Sequence, residues 1–138
     1  MRLRIQDALS REAAATTPAL FETFVRDVTP FHFADPLDPR IGTYLDETSG
    51  TIFRPDAHIH SAGMAQIAVE DRLGEIGAPL LVIAGRHDRS STVAAARAIV
   101  KGAPNGEYAL FDQSGHLPFV EEPELFRATL VGFLDRHP

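Results

Sequence analysis

Pro79-Leu80-Leu81-Val82-Ile83-Ala84-Gly85-Arg86-His87-Asp88 is the stretch that decides how this chain folds. Its first part is a continuous apolar run, the pattern of a strand buried on both faces of a parallel sheet. Downstream, Thr92 to Lys101 is alanine-rich and helical, and it is stopped by Gly102 with Pro104 behind it. Asn105-Gly106 turns the chain into a second strand, Glu107 to Phe111. From Pro123 a last helix carries Phe126, Leu130, Phe133 and Leu134 at i, i+4, i+7 and i+8. Strand, crossover helix, strand implies a right-handed parallel βαβ unit. The class is therefore α/β over residues 71–138.

Upstream the pattern changes, and the two styles meet near Ala78. Thr17-Pro18 reads as an N-cap followed by proline at the first helical position. Phe21, Phe24, Val25 and Val28 then form one apolar stripe, and Thr29-Pro30 is expected to end that helix. Asp35-Pro36-Leu37-Asp38-Pro39 is turn-rich. A shorter helix through Ile41, Tyr44 and Leu45 is expected to stop before Ser49-Gly50, and a third to run from Pro55 to about Val69. Residues 1–70 thus read as a helical, loop-rich segment without repeats or low-complexity runs.

At 138 residues the chain can bury a single core. A formal charge of -6 argues against a nucleic-acid partner, because phosphate binding needs clustered Lys and Arg. Without cysteine there is no disulfide framework and no thiolate metal site. The amino terminus lacks the apolar stretch of a signal peptide, and Pro79–Ala84 is far too short to span a bilayer. A cytoplasmic protein with no membrane partner is the expectation.

Ligands of open α/β sheets bind beyond the carboxyl ends of the strands. Two loops lie there: Gly85-Arg86-His87-Asp88-Arg89-Ser90-Ser91 and Asp112-Gln113-Ser114-Gly115-His116-Leu117-Pro118. Parallel neighbouring strands would bring Asp88 and His116 to the same edge. A carboxylate bonded to one imidazole nitrogen fixes the tautomer and stabilises the imidazolium formed when the other nitrogen takes a proton. That is what a base activating a hydroxyl nucleophile needs. The plain alternatives are that Asp88 only leads into the next helix and that His116 is a solvated loop residue. His87 reads as a packing or loop residue. His58 and His60 have metal spacing but no third ligand nearby, so no metal site is expected there. Glu121-Glu122 is first explained by a positive helix end. Arg86 and Arg89 are either surface charges or partners of nearby carboxylates.

Strand-G-x-x-D, helix, strand, S-G-H-x-P, acidic residues and a last helix, in this order, resemble the carboxy-terminal half of an α/β-hydrolase. Gly85-Arg86-His87-Asp88 and Ser114-Gly115-His116-Leu117-Pro118 carry the match, which is good from about Ile67 onward. The family's chain order is serine, then acid, then histidine. The resemblance implies that Asp88 and His116 are the catalytic acid and base, and that residues 1–70 are a cap, or lid. It is closest in look to the proline-iminopeptidase-type hydrolases. Those enzymes hold a free amino terminus with acidic side chains, one of which can follow the aspartate; Arg89 stands there instead and would repel an ammonium.

The nucleophile is missing. The family places it in G-x-S-x-G between strand and helix, and Ser10, Ser49, Ser61, Ser90, Ser91 and Ser114 all lack that setting. Ser90 and Ser91 read as N-cap residues of the following helix. The expectation is a truncated hydrolase sequence, with a separate polypeptide supplying the amino-terminal half as the competing explanation. Truncation is favoured because a two-strand remnant has long apolar edges. The implied function is ester or amide hydrolysis of a small molecule, aminopeptidase-like in one version, esterase or lactonase or carbon–carbon bond hydrolase in others. This chain alone is expected to be inactive. The alternative is a non-catalytic fragment or ligand-binding module derived from a hydrolase.

Overall fold

A computed structural model describes residues 17–48 and 68–138 together with Asp7, Ser10 and Ala15. Contacts divide the chain into two compact units, residues 1–31 with 36–67 and residues 32–35 with 68–138. Helix α1 (Pro18–His32), which belongs to the first unit up to Phe31, starts where Thr17 caps it, the Leu20 N–H donating to Thr17 Oγ1 at 3.3 Å. Val28 is buried on the predicted stripe, while Phe21, Phe24 and Val25 are half-buried. The helix does not end at Thr29-Pro30 but continues to His32. A proline this close to the end removes only one ladder donor, and the Thr29 hydroxyl donates back to the Val25 carbonyl at 2.7 Å.

The turn at 35–39 leads into α2 (Arg40–Thr48); the expected stop at Ser49-Gly50 lies outside the described residues. Asp38 starts it, accepting from the Arg40 N–H at 2.8 Å and from the Arg40 guanidinium. Those hydrogen bonds hold the Asp38 carboxyl below its ordinary value. Ile41 is the buried residue of this helix. The third helix expected from Pro55 falls mostly outside the described residues; Ala68 and Val69 are not helical.

The second unit begins with a 3₁₀ turn, Glu70–Glu75, and continues as β1 (Leu80–Gly85), α3 (Val93–Gly102), β2 (Gly106–Phe111), α4 (Pro118–Glu121) and α5 (Pro123–Arg136). The strands pair in parallel, from Leu80 opposite Gly106 to Gly85 opposite Phe111. Thr92 caps α3 through Oγ1, and Ala96 faces inward. Phe111, fully buried, packs against Phe126 of α5 with ring centroids 6.2 Å apart. Arg136 and His137 both reach Glu107 on β2, at 2.5 and 2.7 Å, fastening the chain's end to the strand.

Burial is lower than the sequence pattern suggests. Leu80 to Ile83 are half-buried rather than enclosed, because among the described residues the sheet has two strands. The α5 stripe is likewise open: Leu130 and Leu134 are exposed, together with Leu125 and Val131. At the carboxyl ends of the strands Ala84, Gly85, Phe111, Ser114 and Gly115 are buried.

Candidate active site

Both loops leave the carboxyl ends of paired strands and lie against each other. The Arg86 N–H donates to the Phe111 carbonyl at 2.8 Å and the His87 N–H to that of Ser114 at 2.9 Å. The approach is so close that a Cβ on Gly85 would run into the carbonyl oxygens of Ser114 and Gly115. Glycine is required there for space. On the outer side Arg86 Nε donates to Asp112 at 2.6 Å, joining the loops through an exposed ion pair. Arg89 donates to two backbone carbonyls, Phe33 at 2.7 Å and Ala34 at 3.1 Å.

Asp88 and His116 meet. Asp88 Oδ2 lies 2.8 Å from His116 Nδ1, and the carboxylate is almost enclosed while the imidazole is partly open. The other oxygen, Oδ1, accepts from the N–H groups of Ser90 at 2.8 Å and Ser91 at 2.9 Å. Burial pushes the Asp88 carboxyl up, but the bonds from His116, Ser90 and Ser91 outweigh it, and the acid sits below its ordinary value. An ionised carboxylate only accepts, so the hydrogen between the pair belongs to Nδ1. In the neutral imidazole Nε2 then carries the lone pair, the form that takes a proton from a hydroxyl.

The arrangement of parallel strands, crossover helix and paired loops is shared with known proteins. An esterase from Exiguobacterium antarcticum superposes with a TM-score of 0.74 at 20% identity, over 94% of this chain and 48% of its own. MenH from S. aureus does so with a TM-score of 0.72 at 25% identity, over 95% of this chain and 53% of its own. The fold is part of an α/β-hydrolase fold. Among curated α/β-hydrolase relatives, the provisionally assigned carbamate hydrolase RutD of Agrobacterium fabrum is 30% identical over 119 residues, 78% of this chain and 46% of its own. A pimeloyl-[acyl-carrier protein] methyl ester esterase of Vibrio cholerae is 37% identical over 73 residues, 53% of this chain and 29% of its own. The chain thus spans less than half the length of these two relatives. No protein-family model matches the sequence.

Several sequence-level expectations change. Ser90 and Ser91 do not cap α3; Thr92 does, and the serines give their N–H groups to Asp88. Glu121 and Glu122 do precede α5, but their carboxylates are engaged elsewhere. Glu122 makes no side-chain cap to α5; its Oε2 accepts from the Gln113 N–H at 3.1 Å and the buried Ser114 hydroxyl at 2.6 Å. Glu121, also buried, accepts from the Gly115 N–H and the Ala34 N–H, each at 2.7 Å. Both carboxylates serve the histidine loop, whose tight path turns several N–H groups inward. Arg89 uses carbonyl groups, and His87 is exposed.

His58, His60, Ser49 and Ser61 lie outside the described residues. Among the described residues no group of three metal-ligating side chains gathers. No helix among them is long and apolar enough to cross a membrane. Among the described residues, no hydroxyl is bonded to His116 Nε2; the Ser114 hydroxyl is turned to Glu122 and that of Ser10 to the Asp7 carbonyl.

One neighbour carried no signal in the sequence. The His32 ring lies 5.0 Å from that of His116, and its carbonyl accepts the His116 N–H at 2.6 Å. Burial lowers the His32 pKa, the nearby His116 lowers it further, and Asp88 works against both. A residue 84 positions away from its contact shows no periodicity or motif that would pick it out.

Proposed function

We propose that Asp88 and His116 are the acid and base of a Ser-His-Asp hydrolase acting on ester or amide bonds of small molecules. The observation that carries this is the 2.8 Å contact between Asp88 Oδ2 and His116 Nδ1 at the ends of two parallel strands. The attacking serine comes from outside these 138 residues, on an amino-terminal half of the fold. Residues 1–70 serve as the cap segment, and residues 71–138 as the carboxy-terminal part of the core.

In this mechanism the serine hydroxyl gives its proton to His116 Nε2 as its oxygen bonds to the substrate carbonyl carbon. Asp88 holds the ring and stabilises the imidazolium. His116 then protonates the departing alcohol or amine, leaving an acyl-enzyme. Water repeats the sequence: His116 takes its proton, the hydroxyl oxygen bonds to the acyl carbon, and the serine leaves with the proton returned. No metal or cofactor enters. An ester is favoured as substrate because similar proteins include a methyl ester esterase and an esterase of the same fold. The aminopeptidase-like version is less favoured, since Arg89 follows the acid where that chemistry uses an acidic group.

The test is turnover of p-nitrophenyl acetate and prolyl-p-nitroanilide. The 138-residue chain alone is expected to leave both intact. Combined with an amino-terminal hydrolase half that carries G-x-S-x-G, it is expected to hydrolyse the ester and to lose that activity in His116→Ala. Ester turnover that survives His116→Ala in the joined form would refute the assignment. Turnover of the prolyl amide in preference to the ester would restore the aminopeptidase-like version.

A further inference from the structure

We infer that Glu121 is a positioning residue for His116, and that it works with Arg89 by gripping the backbone of residues 32–34 as a splint between the acid loop and the base loop. The inference rests on the assignment of Asp88 and His116 above. Its starting point is a buried carboxylate that the triad chemistry does not use. Glu121 lies one turn beyond the histidine loop, yet both its oxygens are occupied by main-chain donors, one from that loop and one 87 positions away. Oε2 takes the Gly115 N–H and Oε1 the Ala34 N–H, each at 2.7 Å.

The partners form a closed circuit around the pair. Gly115 immediately precedes His116, and the His116 N–H itself donates to the His32 carbonyl at 2.6 Å. Two successive N–H groups of the base loop are therefore pinned, one on Glu121 and one on residue 32. From the other side Arg89, which immediately follows Asp88, grips the carbonyls of residues 33 and 34. Residues 32–34 thus present a carbonyl to the base loop, two carbonyls to the acid side, and one N–H to Glu121. Gly115 admits this contact: a Cβ there would run into the His32 carbonyl oxygen and the backbone of Phe33 and Ala34.

Enclosing a carboxylate is unfavourable unless hydrogen bonds satisfy it, and an apolar side chain would fill the same space without that cost. What the carboxylate adds is direction. Its two oxygens set the separation and angle of two N–H groups, and catalytic geometry is sensitive to displacements well below 1 Å. The grip is chemically exacting, since two N–H donors converge on two oxygens. Glutamine, equal in size, offers one oxygen and one NH₂, so one backbone N–H would face another donor.

The experiment uses the full chain labelled with ¹⁵N-histidine and reads the His116 imidazole directly by NMR, without turnover. The wild-type chain is expected to show a His116 Nδ1–H protected from solvent exchange. In Glu121→Gln that exchange rises roughly tenfold, the loss expected when a charge-assisted contact becomes a repulsive one. Arg89→Met, at an exposed side chain, moves it in the same direction and decides the matter if Glu121→Gln fails to fold. Glu121→Asp, which keeps two oxygens, recovers part of the protection. A fold role alone predicts lower melting temperatures with the Nδ1–H exchange unchanged. That result in folded variants, or a wild-type chain with no protected Nδ1–H, overturns the inference. Absence of ester hydrolysis in the joined form would count against the triad assignment and leave this measurement standing.

Discussion

Replacing Asp88 by asparagine asks what the carboxylate does, because the structure dictates how an amide must sit. Oδ1 accepts two backbone N–H groups, from Ser90 and Ser91, whereas Oδ2 meets one imidazole nitrogen. Asparagine has one acceptor oxygen, and the two N–H donors claim it. Its NH₂ then faces His116 Nδ1, which must become an acceptor. The ring hydrogen moves to Nε2, and the nitrogen that should take the serine proton no longer has a lone pair. Because both backbone bonds survive, the turn survives, and the stability loss is about 1–3 kcal/mol, from weakened charge-assisted bonds. Catalysis suffers far more: a triad in the wrong tautomer loses roughly 10⁴-fold in kcat. The assay is the ¹⁵N chemical shift of the His116 ring nitrogens in Asp88→Asn against wild type. An Nε2 that stays unprotonated in the variant would refute the argument, whatever the activity.

Other consequences follow from the same contacts. Gly85→Ala puts a methyl group against the Ser114 and Gly115 carbonyls, neither of which is a flexible side chain; it is expected to destabilise by roughly 2–4 kcal/mol in urea unfolding and to disturb the Asp88–His116 contact. Ser114→Ala removes a fully buried hydroxyl from Glu122, and about 1–2 kcal/mol is expected in the same measurement. His32 has its pKa lowered from 6.5 by burial first, so the unfolded chain binds its proton more tightly. Stability from this group is complete above that ordinary value and declines as pH falls from there toward the lowered folded value. His32→Asn is expected to flatten that part of the stability–pH curve, and an unchanged slope would count against it.

Much of the scaffold was legible in the sequence because its signals are local. The apolar run before Gly85, the alanine-rich helix and the Asn105-Gly106 turn placed β1, α3 and β2 to within a residue or so. Thr17 caps α1 as its position ahead of Pro18 suggests. The Asp88–His116 meeting followed from adjacency of two parallel strand ends. The failures are as physical as the successes. Proline near a helix end costs one donor, so α1 outlasts Thr29-Pro30. Ser90 and Ser91 look like caps, but their N–H groups are drawn to a carboxylate two and three residues earlier. Residues 32–34 are joined to the site by contacts spanning 55 to 87 positions, from Arg89 and Glu121. No periodicity announces such a contact, and the acceptor role of Glu121 emerges only when the N–H groups of the histidine loop are traced to partners.

The central claim is that Asp88 and His116 serve a serine that these 138 residues do not contain. It is tested most directly by treating the joined form, in which an amino-terminal half supplies G-x-S-x-G, with a fluorophosphonate probe. A serine oxygen bonds to phosphorus there as fluoride leaves, and the labelled peptide is then identified by mass spectrometry. The account predicts a single label on a serine outside residues 1–138, with a labelling rate that falls at least about a hundredfold in His116→Ala. A label on Ser10, Ser49, Ser61, Ser90, Ser91 or Ser114, or a rate indifferent to His116, would contradict it.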